Sequence, residues 1–113
     1  MASGLVRGTI NTLLNAVTAT GAGASFSVPE KPTGGLFSNY SWQVVPTGSP
    51  TGISTTLQGS LDGNTWVVID TSTNTAGEVR AVSGKPFAFM RANLGTLTGG
   101  TAPTVRVYLV LGA

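Results

Sequence analysis

A chain of 113 residues is long enough to bury one hydrophobic core, and its composition removes several chemistries at once. With no cysteine there are no disulfides, thiolate zinc sites or cysteine nucleophiles, and with no histidine the commonest general base near neutral pH is missing. Charged residues are 9% of the chain, against about 25% in an ordinary soluble domain, so hydroxyls, amides and backbone must supply the polar surface.

In chain order, residues 1–10 lack the apolar run of a signal peptide, which predicts synthesis in the host cytoplasm. They mix Leu5, Val6 and Ile10 with Gly4 and Gly8, the pattern of an extended arm ahead of the first strand. Thr12 to Thr18 and Ser25 to Val28 are candidate strands on either side of the turn Gly21-Ala22-Gly23, and Pro29 to Ser38 reads as a loop. Ser41 to Val45 is a clear strand: Tyr40, Trp42 and Val44 alternate with Ser41 and Gln43, and Pro46 is expected to stop ladder pairing. Ile53 to Ser60 repeats the alternation, with Ile53, Thr55, Leu57 and Gly59 on one face.

Asp62-Gly63 then sits between two alternating runs, a strong hairpin signal in which Gly63 supplies the positive φ and Asp62 binds nearby backbone N–H groups. The returning strand is Trp66 to Asp70, followed by a polar turn over Thr71 to Gly77 and a strand from Glu78 to Val82. Ser83 to Pro86 is a turn. Phe87 to Leu94 alternates Phe87, Phe89 and Arg91 against Ala88, Met90 and Ala92, and Gly95 to Pro103 is a loop. Thr104 to Leu111 points Val105, Val107, Leu109 and Leu111 inward, apolar enough for a central strand. About seven or eight short strands at this spacing predict an all-β fold, an antiparallel β-sandwich or jelly roll over residues 1–113.

Little here can do chemistry. A serine nucleophile would need Lys31 or Lys85, each beside a proline in a turn; the carboxylates are only Glu30, Asp62, Asp70 and Glu78, and of these Asp62 in the hairpin turn and Asp70 at the end of the returning strand read as turn and edge residues. Asp62-Gly63-Asn64 offers oxygens but lacks EF-hand spacing, and no phosphate-cradling motif is present, so neither metal nor cofactor is expected. Arg7, Lys31, Arg80, Lys85, Arg91 and Arg106 are scattered, so nucleic acid is not the expected partner. No stretch reaches the ~20 apolar residues of a membrane helix, so neither is a membrane. Trp42 and Trp66 each alternate in phase with apolar neighbours, which favours core packing over sugar stacking. Arg91 is expected to be partly buried and paired with Asp62 or Asp70. So few ionised groups imply that copies of the chain, or a larger assembly, cover much of its surface.

The run Leu57-Gln58-Gly59-Ser60-Leu61-Asp62-Gly63-Asn64-Thr65-Trp66, then Gly84-Lys85-Pro86, Met90-Arg91-Ala92-Asn93 and the hydrophobic last strand resemble small β-sandwich virion proteins of tailed bacteriophages over residues 40–112. The resemblance implies a capsid decoration (cement) protein or another minor head or tail component. The S-x-D-G-x-x-W pattern is also similar to discoidin-like jelly rolls, which bind sugars or lipid head groups; this chain is shorter and lacks their bracketing cysteines. The expectation is therefore a non-enzymatic protein of the capsid surface. Its partners would be the major capsid protein or other virion subunits and copies of itself, in an oligomer such as a trimer, with Leu5, Val6 and Ile10 as arm contacts. The alternative is a carbohydrate-binding module for host adsorption, in a tail or fibre.

Overall fold

The computed structural model describes residues 10–112, so Leu5 and Val6 lie outside the described residues. Nine strands form: β1 (Ile10–Val17), β2 (Gly21–Ala22), β3 (Phe26–Ser27), β4 (Asn39–Thr47), β5 (Gly52–Ser60), β6 (Val67–Ser72), β7 (Glu78–Val82), β8 (Phe89–Thr98) and β9 (Thr104–Gly112). Ile10 is not in an arm; it opens β1, paired with Val110.

The strands make two antiparallel sheets, one in the order β1-β9-β4-β7 and the other in the order β2-β8-β5-β6, with β3 also paired to β8. With β2 and β3 counted as one interrupted strand, this is the order of an eight-stranded jelly roll. Only the β5–β6 hairpin and the β2–β3 break stay within one sheet; every other connection crosses the sandwich.

Alternation decides which faces meet. Tyr40, Trp42 and Val44 from β4, Val105, Val107 and Leu109 from β9, Leu57 from β5 and Met90, Ala92 and Leu94 from β8 all turn inward and form the buried core. Trp42 keeps 1% of its surface exposed. At about 25 cal/mol per Å² of apolar surface removed from water, such side chains each contribute on the order of 1.5–3 kcal/mol. Thr55 is buried among them, and its hydroxyl has no hydrogen-bond partner.

Several boundaries differ from the sequence expectation for identifiable reasons. Pro46 does not end β4, which pairs with β9 through Thr47. Pairing with β7 stops at Val44, so the N–H that proline lacks falls where this side of β4 has no partner. β8 runs to Thr98 because a register shift between Ser54 and Thr55, opposite Gly95, lets the ladder to β5 continue. Phe87 lies before β8, and its ring sits over Gly59, where a Cβ would come within 2.4 Å of it.

The edges of the two sheets are tied together on one side. The Arg80 guanidinium of β7 donates to Asp70 of β6 at 2.7 Å and to Glu78 at 3.3 Å, and the Trp42 indole N–H donates to the same Asp70 oxygen at 3.0 Å. Lys85 Nζ reaches the Ile69 carbonyl at 3.3 Å, while the Tyr40 hydroxyl donates to the Lys85 carbonyl at 2.7 Å.

Candidate functional site

The β5–β6 connection is a six-residue loop, 61–66, organised around one carboxylate. Asp62 Oδ1 accepts from the backbone N–H of Thr65 at 2.7 Å and of Asn64 at 2.8 Å, and from the Ser60 hydroxyl at 2.8 Å. These donors, the Thr65 and Asn64 amides foremost, hold the Asp62 carboxyl well below the usual carboxylate range. Ser60 Oγ in turn accepts from the Gly63 N–H at 2.9 Å, and Gly63 takes the expected positive φ of 80°. The tip is thus fixed by its own bonds, and it presents Leu61 to solvent.

Trp66 does not enter the core. It is half-buried on the outer face of the five-stranded sheet, where the Arg91 guanidinium lies 4.3 Å from its ring centroid. Arg91 pairs with neither Asp62 nor Asp70; its Nε donates to Gln58 Oε1 at 2.7 Å, and Arg80 takes Asp70 instead. Asp70 is not at a strand end but within β6, opposite inward-facing Leu57. Burial alone would raise its carboxyl, but the hydrogen bonds from Arg80 and Trp42 outweigh burial and leave it lowered. Burial, then the Asp70 charge, push the Tyr40 phenol up to about 12. Three of the four carboxylates are therefore engaged by the fold itself.

The outer face of the four-stranded sheet is different in kind. Register places Ile10, Val110, Ser41 and Ala81 in one outward row and Tyr108, Gln43 and Val79 in the next. Between Ile10, 67% exposed on β1, and Val79, 62% exposed on β7, runs a groove of about 430 Å³ floored by Ser41, Gln43, Tyr108 and Val110. A second hollow of about 330 Å³ continues it and shares Ser41 and Val110. Among the described residues, no charged side chain lines either hollow. Arg106 lies two positions along β9 from Tyr108 on the same face.

Of the residues singled out from the sequence, Asp62, Gly63, Trp66 and Arg91 gather around the hairpin, Trp42 packs inside, and Ile10 forms a groove rim. Sequence reasoning missed Val79, Tyr108 and Val110. For Tyr108 and Val110 the signal was an apolar side chain at the out-of-phase positions of a strand whose core phase was already filled, Val110 between Leu109 and Leu111 above all.

No protein-family model matches the sequence, and no curated protein matches it. Among solved structures, the SPBc2 prophage-derived protein YomS superposes with a TM-score of 0.65 at 15% identity, over 94% of each chain. The PBSX exported protein XepA superposes with a TM-score of 0.58 at 17% identity over 94% of this chain, which spans 37% of XepA's length. With these two proteins the chain shares its β-sandwich fold.

Proposed function

We propose that this chain is a non-enzymatic structural protein of a phage particle, a capsid decoration protein that sits on the assembled head as an oligomer. The observation that carries this reading is the groove on the outer face of the four-stranded sheet, apolar and without a charged side chain among the described residues. A free monomer gains nothing by keeping Ile10 and Val79 in water, whereas a lattice subunit buries such a face against a neighbour. The fold shared with the prophage-derived protein YomS supports the phage setting. A chain without histidine or cysteine, whose Asp62, Asp70 and Glu78 are spent on its own bonds, supports a mechanical role. Each copy would add buried area across capsid subunits, and many modest contacts held together raise the work needed to open the shell.

Electron cryo-microscopy and heat challenge of particles with and without the gene test this. The expected result is jelly-roll density on the head lattice, and release of DNA at lower temperature when the protein is missing. Particles that contain no copy, or hold it only in the tail, would overturn the head assignment.

A second reading, carbohydrate binding, is favoured by one observation: Trp66 lies on an outer sheet face with Arg91 and Gln58 beside it. Glycan-array binding lost in a folded Trp66→Ala variant would support that reading, and an array blank for the wild type would remove it.

A further inference from the structure

Among the described residues, four of the five exposed large apolar side chains fall on two separate surfaces; the fifth, Val68, lies on the outer face of the five-stranded sheet opposite Gln58. Ile10 and Val79 are the rims of the groove on the four-stranded sheet. Leu61, 70% exposed, and Val67, 50% exposed, project from the β5–β6 hairpin, which belongs to the other sheet. The first surface is a groove of about 430 Å³, and beside the loop tip Leu61 and Val67 border a smaller hollow of about 270 Å³ with Phe87. The hairpin is also rigid before any contact forms, because Asp62 and Ser60 hold its backbone, so docking it costs little ordering entropy.

Symmetry separates the ways two copies can use these surfaces. A contact of groove against groove leaves Leu61 and Val67 in water, whereas a contact of hairpin on groove covers both surfaces, and only a heterologous one can grow beyond a dimer. Charge points the same way. Asp62, next to Leu61, carries an exposed negative charge at the tip. Arg106, on the groove face beyond Tyr108, takes part in no ion pair among the described residues.

We propose that copies of this chain join head to tail: the Leu61–Val67 hairpin of one copy seats in the Ile10–Val79 groove of the next, with Asp62 of the first facing Arg106 of the second. The inference rests on the reading of the chain as an assembly subunit. It adds the occupant of the groove, a second copy, and the polarity of the contact. Repeated, such a contact closes into a ring if the rotation allows it and otherwise continues as a chain.

The test uses the full-length protein and two variants at exposed positions, Leu61→Asp on the hairpin and Val79→Asp in the groove, each checked for folding by circular dichroism and thermal melting. Light scattering coupled to size-exclusion chromatography should find a discrete oligomer for the wild type and a monomer for each variant alone. An equimolar mixture of the two variants should give a heterodimer and nothing larger, because one intact groove meets one intact hairpin. Leu61→Gln repeats the hairpin arm without placing a second charge beside Asp62. Arg106→Glu should weaken association roughly tenfold at low salt, with the difference shrinking as salt is added.

An oligomer that survives Leu61→Asp but not Val79→Asp would overturn the proposal in favour of a two-fold contact, and variants that stay monomeric on mixing would overturn it too. A wild type that coats purified heads yet remains monomeric sinks head-to-tail joining and leaves head binding standing. The heterodimer found together with bare heads supports the joining and sinks the decoration reading.

Discussion

Thr55 shows how much one hydroxyl can matter. It is buried in the core between β5 and β8, and its Oγ1 meets no partner, so folding strips water from it without replacement. Thr55→Val keeps the shape and removes the unsatisfied group, and is expected to stabilise the fold by about 1–2 kcal/mol in urea denaturation. Trp66 teaches a different lesson. In the sequence it alternates with Val68, and Val67 with Ile69, so both faces of this strand look apolar and alternation cannot say which is inward. The ladder decides it: Val68 pairs with outward-facing Gln58, a bulge follows, and Asp70 then pairs with inward-facing Leu57. That extra residue turns the Asp70 carboxylate toward the Trp42 indole and Arg80, while Arg91 donates to Gln58. Asp62 was legible because its bonds are local, whereas the pairing of Asp70 with Arg80 depends on two sheets meeting.

Strands with one dominant apolar phase, β4 as far as Val44 and β5, could be read directly, since only one register buries their large side chains. β2 and β3 could not be so read, being two residues each and held by pairing to β8 rather than by any pattern of their own. Between β5 and the approach to β8, the contact of Gly59 with the Phe87 ring was equally invisible, because nothing local says that an aromatic will lie on that glycine. Gly59→Ala would push a methyl group into the ring, with 2.4 Å to the nearest ring atom. Chemical denaturation should register a loss of about 1–3 kcal/mol. Adding Phe87→Ala relieves the clash, so the double variant should lose less than the sum of the two single ones; strict additivity would show that the contact carries no strain.

At the scale of the whole molecule, the Asp70–Arg80–Trp42 cluster joins an edge of one sheet to an edge of the other. Its carboxyl is lowered in the folded state, so between that value and the ordinary aspartate value of about 3.9 the unfolded chain binds more protons. Stability from this group is complete above that ordinary value and is lost as pH falls through the lowered one. Melting temperature should therefore drop on acidification below about pH 4, and Asp70→Asn should flatten that drop while costing about 1–2 kcal/mol at neutral pH. An unchanged acid profile in the variant would show that the latch carries no weight.

The place of β9, between β1 and β4, has a consequence for how the molecule comes into being. Of the nine strands it leaves the ribosome last, yet it is the one that the first strand and β4 both need. Until it arrives, the four-stranded sheet has no centre, and both waiting strands offer bare hydrogen-bonding edges to whatever is near. The four-stranded sheet therefore forms only once β9 has emerged, and the nascent chain is most open to stray pairing until then.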